Sequence, residues 1–131
     1  MRVLLDSNAY SLLMRGHEQA ADLVRTADEL LLSAVVVGEL MYGFRRGTRF
    51  EENVAGLSAL LTNPYTSFVE VGSVTADRYS RIFASLRAKG RPIPTNDVWI
   101  AAHAMETGAD LLSADQHFKH VDGIAWISLD P

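Results

Sequence analysis

Short apolar runs alternate with helical stretches along this chain, and that alternation limits the fold more than any other feature. Val3-Leu4-Leu5, Leu30-Leu31-Leu32, Ser67 to Val71, Ala109 to Ser113 and Ile124 to Ile127 each read as a strand. Between them lie segments with apolar residues at helical spacing: Ala9 to Met14, Glu18 to Thr26, Ala34 to Arg46, Phe50 to Leu61, Ser73 to Lys89 and Asn96 to about Thr107. The leading strands have no polar alternation, as a sheet covered on both faces requires. The order predicts a single α/β domain over residues 1–131: three layers, with a mostly parallel sheet of about five strands between helices and right-handed crossovers.

Local punctuation agrees. Gly16, Asn63-Pro64, Gly90 with Pro92 and Pro94, and Gly108 mark element ends. Ser7 or Asn8, Ser33, Ser73 (with Thr75 as second choice) and Thr95 are the expected helix caps. No run approaches the roughly 20 apolar residues of a membrane span. The first strand begins at once and is interrupted by Asp6, unlike a signal peptide, so a cytoplasmic location is expected. The chain has no cysteine, which excludes disulfides and thiolate metal sites and leaves oxygen and four histidines as metal donors. A net charge of −4 argues against a general nucleic-acid coat. The cations are nonetheless mostly arginine, whose planar fork suits phosphate, and Arg45, Arg46 and Arg49 cluster.

Four acids stand out by position. Asp6 ends the first strand. Glu39 interrupts the apolar helical stripe of Val36, Leu40, Gly43 and Phe44. Asp97 heads the inward face of Ile100, Ala101 and Ala104. Asp115 follows the fourth strand after Ser113-Ala114. In a parallel sheet, strand C-termini and the helix starts that follow share one edge, which brings together Asp6, Asp115 and the start of the Glu39 helix. Topology alone leaves Asp97 open, because its helix precedes a strand. Gathered carboxylates repel, and a divalent cation resolves that conflict. Oxygen ligation without cysteine or clustered histidine points to Mg²⁺ or Mn²⁺ rather than Zn²⁺, and metal-assisted phosphodiester hydrolysis is the chemistry such a set suits. Each acid also has a structural reading. Asp6 can cap a helix, Asp97 can answer a helix dipole, Asp115 can form a turn, and Glu39 can pair with an arginine.

Asp6-Ser7-Asn8, Val37-Gly38-Glu39-Leu40, Asn96-Asp97-Val98-Trp99-Ile100-Ala101-Ala102-His103-Ala104 and Leu112-Ser113-Ala114-Asp115-Gln116-His117-Phe118 together resemble the PIN domain, and within it the VapC-type toxin ribonucleases of toxin–antitoxin systems. The resemblance spans nearly the whole chain in the same motif order. It implies a PIN-like sheet with helices on both sides, an acidic cluster that binds Mg²⁺ or Mn²⁺ and cleaves RNA, a homodimer, and a cognate antitoxin partner whose peptide reaches the acidic pocket. By this resemblance Asp6, Glu39, Asp97 and Asp115 match the acidic, metal-binding positions. Asn8 lies in the slot of a polar neighbour of the first acid, and Ser113 where threonine is commoner; both are accessory candidates. His117 lies where some members carry a further carboxylate, which counts against a second tightly held metal. His117 and His103 are not assigned to the catalytic set. Two other classes stand beside this reading: a non-catalytic binding module of the same fold, and a phospho-accepting receiver-like domain. For a receiver, this chain lacks the usual paired acid beside Asp6, an acceptor aspartate after the third strand, which ends in Glu70-Val71-Gly72, and a lysine after the last strand.

Overall fold

Each apolar run becomes a strand in the computed structural model, which describes residues 1–131. The chain runs β1 (Arg2–Leu5), α1 (Ser7–Met14), α2 (Glu18–Thr26), β2 (Glu29–Ser33), α3 (Ala34–Arg46), α4 (Phe50–Leu61), β3 (Thr66–Val69), α5 (Ser73–Lys89), α6 (Thr95–Thr107), β4 (Asp110–Ser113), a 3-10 turn (Gln116–His120) and β5 (Ala125–Ser128). All four strand pairings are parallel, so the sheet is wholly rather than mostly parallel. Its order is β3-β2-β1-β4-β5. A receiver-like sheet would follow 2-1-3-4-5, so the order counts against that alternative.

Burial explains the unbroken apolar runs. Val3, Leu4 and Leu5 are all 0% exposed although successive side chains point to opposite faces, so both faces of β1 are covered. Leu31, Leu32, Leu111 and Leu112 flank them in register and are equally enclosed. The edge strands β3 and β5 are less covered: in β3 Phe68 stays exposed and Glu70 and Val71, expected within the strand, have already left the sheet, and in β5 Ala125 is exposed. On α5, Thr75, Ile82 and Leu86 are buried, while Phe83 is exposed. No helix is long and apolar enough to cross a membrane.

Several helix starts differ from the expected caps. Ser33 caps α3 as expected, its hydroxyl accepting from Val35 N at 3.0 Å. The cap of α1 is Asp6 itself, not Ser7 or Asn8. At α5 the cap is Gly72 rather than Ser73, and Thr75 accepts from Gly72 N at 3.0 Å. Pro94 precedes α6 in place of Thr95, with no side-chain cap bond. In each case the extended residue lies one position earlier than composition suggested. Cap identity depends on where the backbone turns, and neighbouring polar residues do not encode that.

The sheet order creates the crevice. From β1 the chain builds outward through β2 to β3, then returns to place β4 on the other side of β1, with β5 beyond. The segments leaving the C-termini of β1 and β4 therefore diverge. In an open parallel sheet, ligands bind at such a switch point. Asp6 follows β1 and Asp115 follows β4.

Candidate metal centre

Asp6 is the innermost acid, 4% exposed. It continues β1 in extended conformation and turns its side chain back over the first turn of α1, where Oδ1 accepts from Ala9 N at 2.7 Å. Oδ2 accepts a short hydrogen bond from the hydroxyl of Ser113, at the end of the neighbouring β4. The same Ser113 oxygen accepts from Asp115 N at 2.9 Å. One buried serine thus ties the first acid to the backbone of the fourth. Burial pushes the Asp6 carboxyl up to about 6; the Ser113 and Ala9 bonds oppose this, while the fields of Asp97 and Asp115 add to it.

Glu39 projects from the second turn of α3. Its Oε1 accepts from Ser7 Oγ at 2.7 Å and its Oε2 from Asn96 Nδ2 at 3.3 Å. Both partners are neutral, so the arginine that would give this acid a structural role is not there. The contacts instead draw together α1, α3 and the start of α6.

Asp97 lies in the first turn of α6, and Asp115 starts the 3-10 turn with its Oδ1 accepting from His117 N at 2.9 Å. Between the two sits a side chain that the sequence reading set aside. His117 Nδ1 is 3.0 Å from Asp97 Oδ2 and 3.0 Å from Asp115 Oδ1. One ligand atom from each of the three residues lies within 4.8 Å of the others. Burial raises the Asp97 carboxyl above its usual range, with Asp115 and Glu39 adding to the rise and His117 opposing it. Hydrogen bonding to Asp97 in turn lifts His117 above the usual imidazole range. In the sequence, His117 was marked by its two-residue spacing from Asp115 and by a position where some members of the resembling family carry a further carboxylate.

The four acids therefore share one field. Asp97 and Asp115 form ion pairs with His117 alone, and Asp6 and Glu39 form none. With no lysine or arginine to balance them, the set fits a divalent cation better than an internal salt bridge. Asn8 stands exposed on α1. His103 is elsewhere: it is 0% exposed, with Nδ1 2.8 Å from Ser33 Oγ and Nε2 3.1 Å from the Glu70 carbonyl. Trp126 also packs inward, its Nε1 donating to the Ser113 carbonyl at 3.1 Å, and Trp99 stacks on Tyr79 with ring centroids 4.0 Å apart.

Fold and site together define a parallel α/β protein with an acidic cluster at its switch point. The chain belongs to the PIN domain family, whose model matches residues 3–124. It is 26% identical to Ribonuclease VapC1 of Haemophilus influenzae over 132 aligned positions, covering 96% of each chain. It superposes on the structure of VapBC-1 from nontypeable Haemophilus influenzae with a TM-score of 0.85, 25% identity and 98% coverage of both chains. On VapBC2 from Rickettsia felis, solved with a promoter DNA fragment, the TM-score is 0.86 at 23% identity, covering 99% of this chain and 100% of the other.

Proposed function

We propose that this protein is a Mg²⁺- or Mn²⁺-dependent endoribonuclease, the toxin of a toxin–antitoxin pair, and that Asp6, Glu39, Asp97 and Asp115 are its metal-binding and catalytic acids. The observation that most supports this is a cluster of four coupled carboxylates with no lysine or arginine partner, at the crevice where such folds bind ligands. The names of the similar proteins supply the reaction and the partner: a ribonuclease VapC, and VapBC complexes.

A divalent ion held by these acids supplies Lewis acidity toward a phosphodiester. The chain's own residues set the geometry. Asp6 is fixed by its rigid strand, the Ala9 amide and Ser113. Ser7 and Asn96 orient both oxygens of Glu39. Ser113 acts as a positioning residue, locking Asp6 against the backbone that carries Asp115. Asn8, exposed one residue beyond Ser7, is available to substrate. Along α3, Arg46 falls two turns beyond Glu39 on the same line, its guanidinium 5.2 Å over the ring of exposed Tyr42. Aromatic and guanidinium surfaces of this kind stack single-stranded bases and contact phosphate. The acidic pocket likewise suits an antitoxin peptide carrying a cation. A second copy of the chain completes the assembly expected of this protein type, and the cytoplasm is its expected location.

The test is cleavage of total RNA by purified, antitoxin-free protein in Mg²⁺ or Mn²⁺. Cleavage should stop with EDTA and fall at least ~100-fold in Asp97→Asn, with the circular dichroism spectrum unchanged. An inactive wild type that still binds the ions would instead favour the non-catalytic binding module. Activity that survives EDTA and the substitution would remove the metal-centre reading.

A further inference from the structure

We infer that His117 is a nitrogen ligand of the cation bound at this centre, and that it shifts the centre's preference away from Mg²⁺ toward transition ions such as Mn²⁺. This rests on the metal-centre reading above and goes beyond it, because the four acids alone offer only oxygen.

The geometry is that of a ligand edge. His117 Nδ1 is 3.0 Å from an oxygen of Asp97, on α6, and 3.0 Å from an oxygen of Asp115, after β4. Two adjacent ligands of an octahedral ion, each about 2.1 Å from it, lie about 3.0 Å apart. The nitrogen therefore already occupies the spacing of a neighbouring ligand to both acids. In the structure the imidazole bridges that edge, with Nδ1 in hydrogen-bond contact with Asp97 Oδ2.

The position is built rather than incidental. The His117 amide donates to Asp115 Oδ1 at 2.9 Å, and the next residue, Phe118, is 1% exposed and pins the turn to the core. The imidazole side chain itself is 47% exposed, so the ring lies outside the core that anchors its turn. Mg²⁺ is held almost entirely by oxygen, whereas first-row transition ions accept imidazole readily. A fifth carboxylate at 117 would favour the harder ion; the histidine tilts the set the other way.

Direct titration of the full-length protein with MnCl₂ and with MgCl₂, in parallel, tests this without reference to activity. In His117→Ala the ratio of Mn²⁺ to Mg²⁺ affinity should fall roughly tenfold. In His117→Asp, Mg²⁺ affinity should recover above that of the alanine variant. Pulsed electron paramagnetic resonance of bound Mn²⁺ should show ¹⁴N modulation in the wild type and none in His117→Ala. Circular dichroism spectra of both variants should match the wild type, since the side chain is outside the core. Mn²⁺ bound without ¹⁴N coupling, or an affinity ratio within about twofold of wild type in His117→Ala, would refute the nitrogen ligand and leave the four-acid centre standing. Failure of the wild type to bind either ion would overturn both.

Discussion

Asp6 shows how one side chain serves folding and chemistry in opposition. As a cap it satisfies the Ala9 amide. As a carboxylate it is buried among other acids, with its pKa raised from 3.8 to about 6. A raised acid favours the folded state only while protonated: its cost is absent below the unfolded value, grows as pH rises toward 6, and is complete above it. Two pH units correspond to about 3 kcal/mol at neutral pH. Asparagine caps a helix as well as aspartate but cannot ionise. Asp6→Asn should therefore be more stable than wild type by ~1–3 kcal/mol in EDTA at pH 7.5, with the gain vanishing near pH 4, and should not cleave RNA. Urea melts at the two pH values check the first part, and an RNA digest checks the second.

Among the elements, α6 carries the most demanding environment, because its residues from Ile100 to Ala104 are buried in succession. His103 lies in that stretch. The Glu70 carbonyl can only accept, so Nε2 carries the proton and Nδ1 accepts from the Ser33 hydroxyl. That neutral tautomer fastens α6 to the ends of β2 and β3, beside the strand edge where the acids gather. Burial holds its pKa below the usual 6.5. A histidine with a depressed folded pKa stabilises above the unfolded value, and that contribution is lost as pH falls below 6.5 toward the folded value. His103→Leu leaves the Ser33 hydroxyl proton without an acceptor and the Glu70 carbonyl without its donor, and should cost ~2–4 kcal/mol at pH 7.5. The gap to wild type should narrow as pH drops from 6.5 to 5, measured by chemical denaturation across that range.

For the whole molecule, one sheet order accounts for both stability and site. The central strand β1 is enclosed by β2 and β4 and by both helical layers, so neither side of the sheet can open without exposing Val3, Leu4 and Leu5. Residues 1–131 should therefore unfold as one unit, with fluorescence and circular dichroism transitions coincident and calorimetric and van't Hoff enthalpies equal; two separated transitions would contradict a single domain. The same order splits the connections after β1 and β4 and opens the crevice beside Asp6. By itself, the sequence determined the elements and their class, because strand and helix periodicities are local and because unbroken apolar runs require a doubly covered sheet. It also nominated Asp6, Glu39, Asp97 and Asp115 by position: two at strand ends and two on otherwise apolar helix faces. Only the tertiary structure decided which strand neighbours which, and with that whether Asp97, on a helix leading into a strand, could reach the others. It alone brought Ser113 under Asp6, Ser7 and Asn96 onto Glu39, and His117 between Asp97 and Asp115. Those contacts join residues 20 to 107 positions apart or turn on side-chain direction, and no local periodicity encodes either.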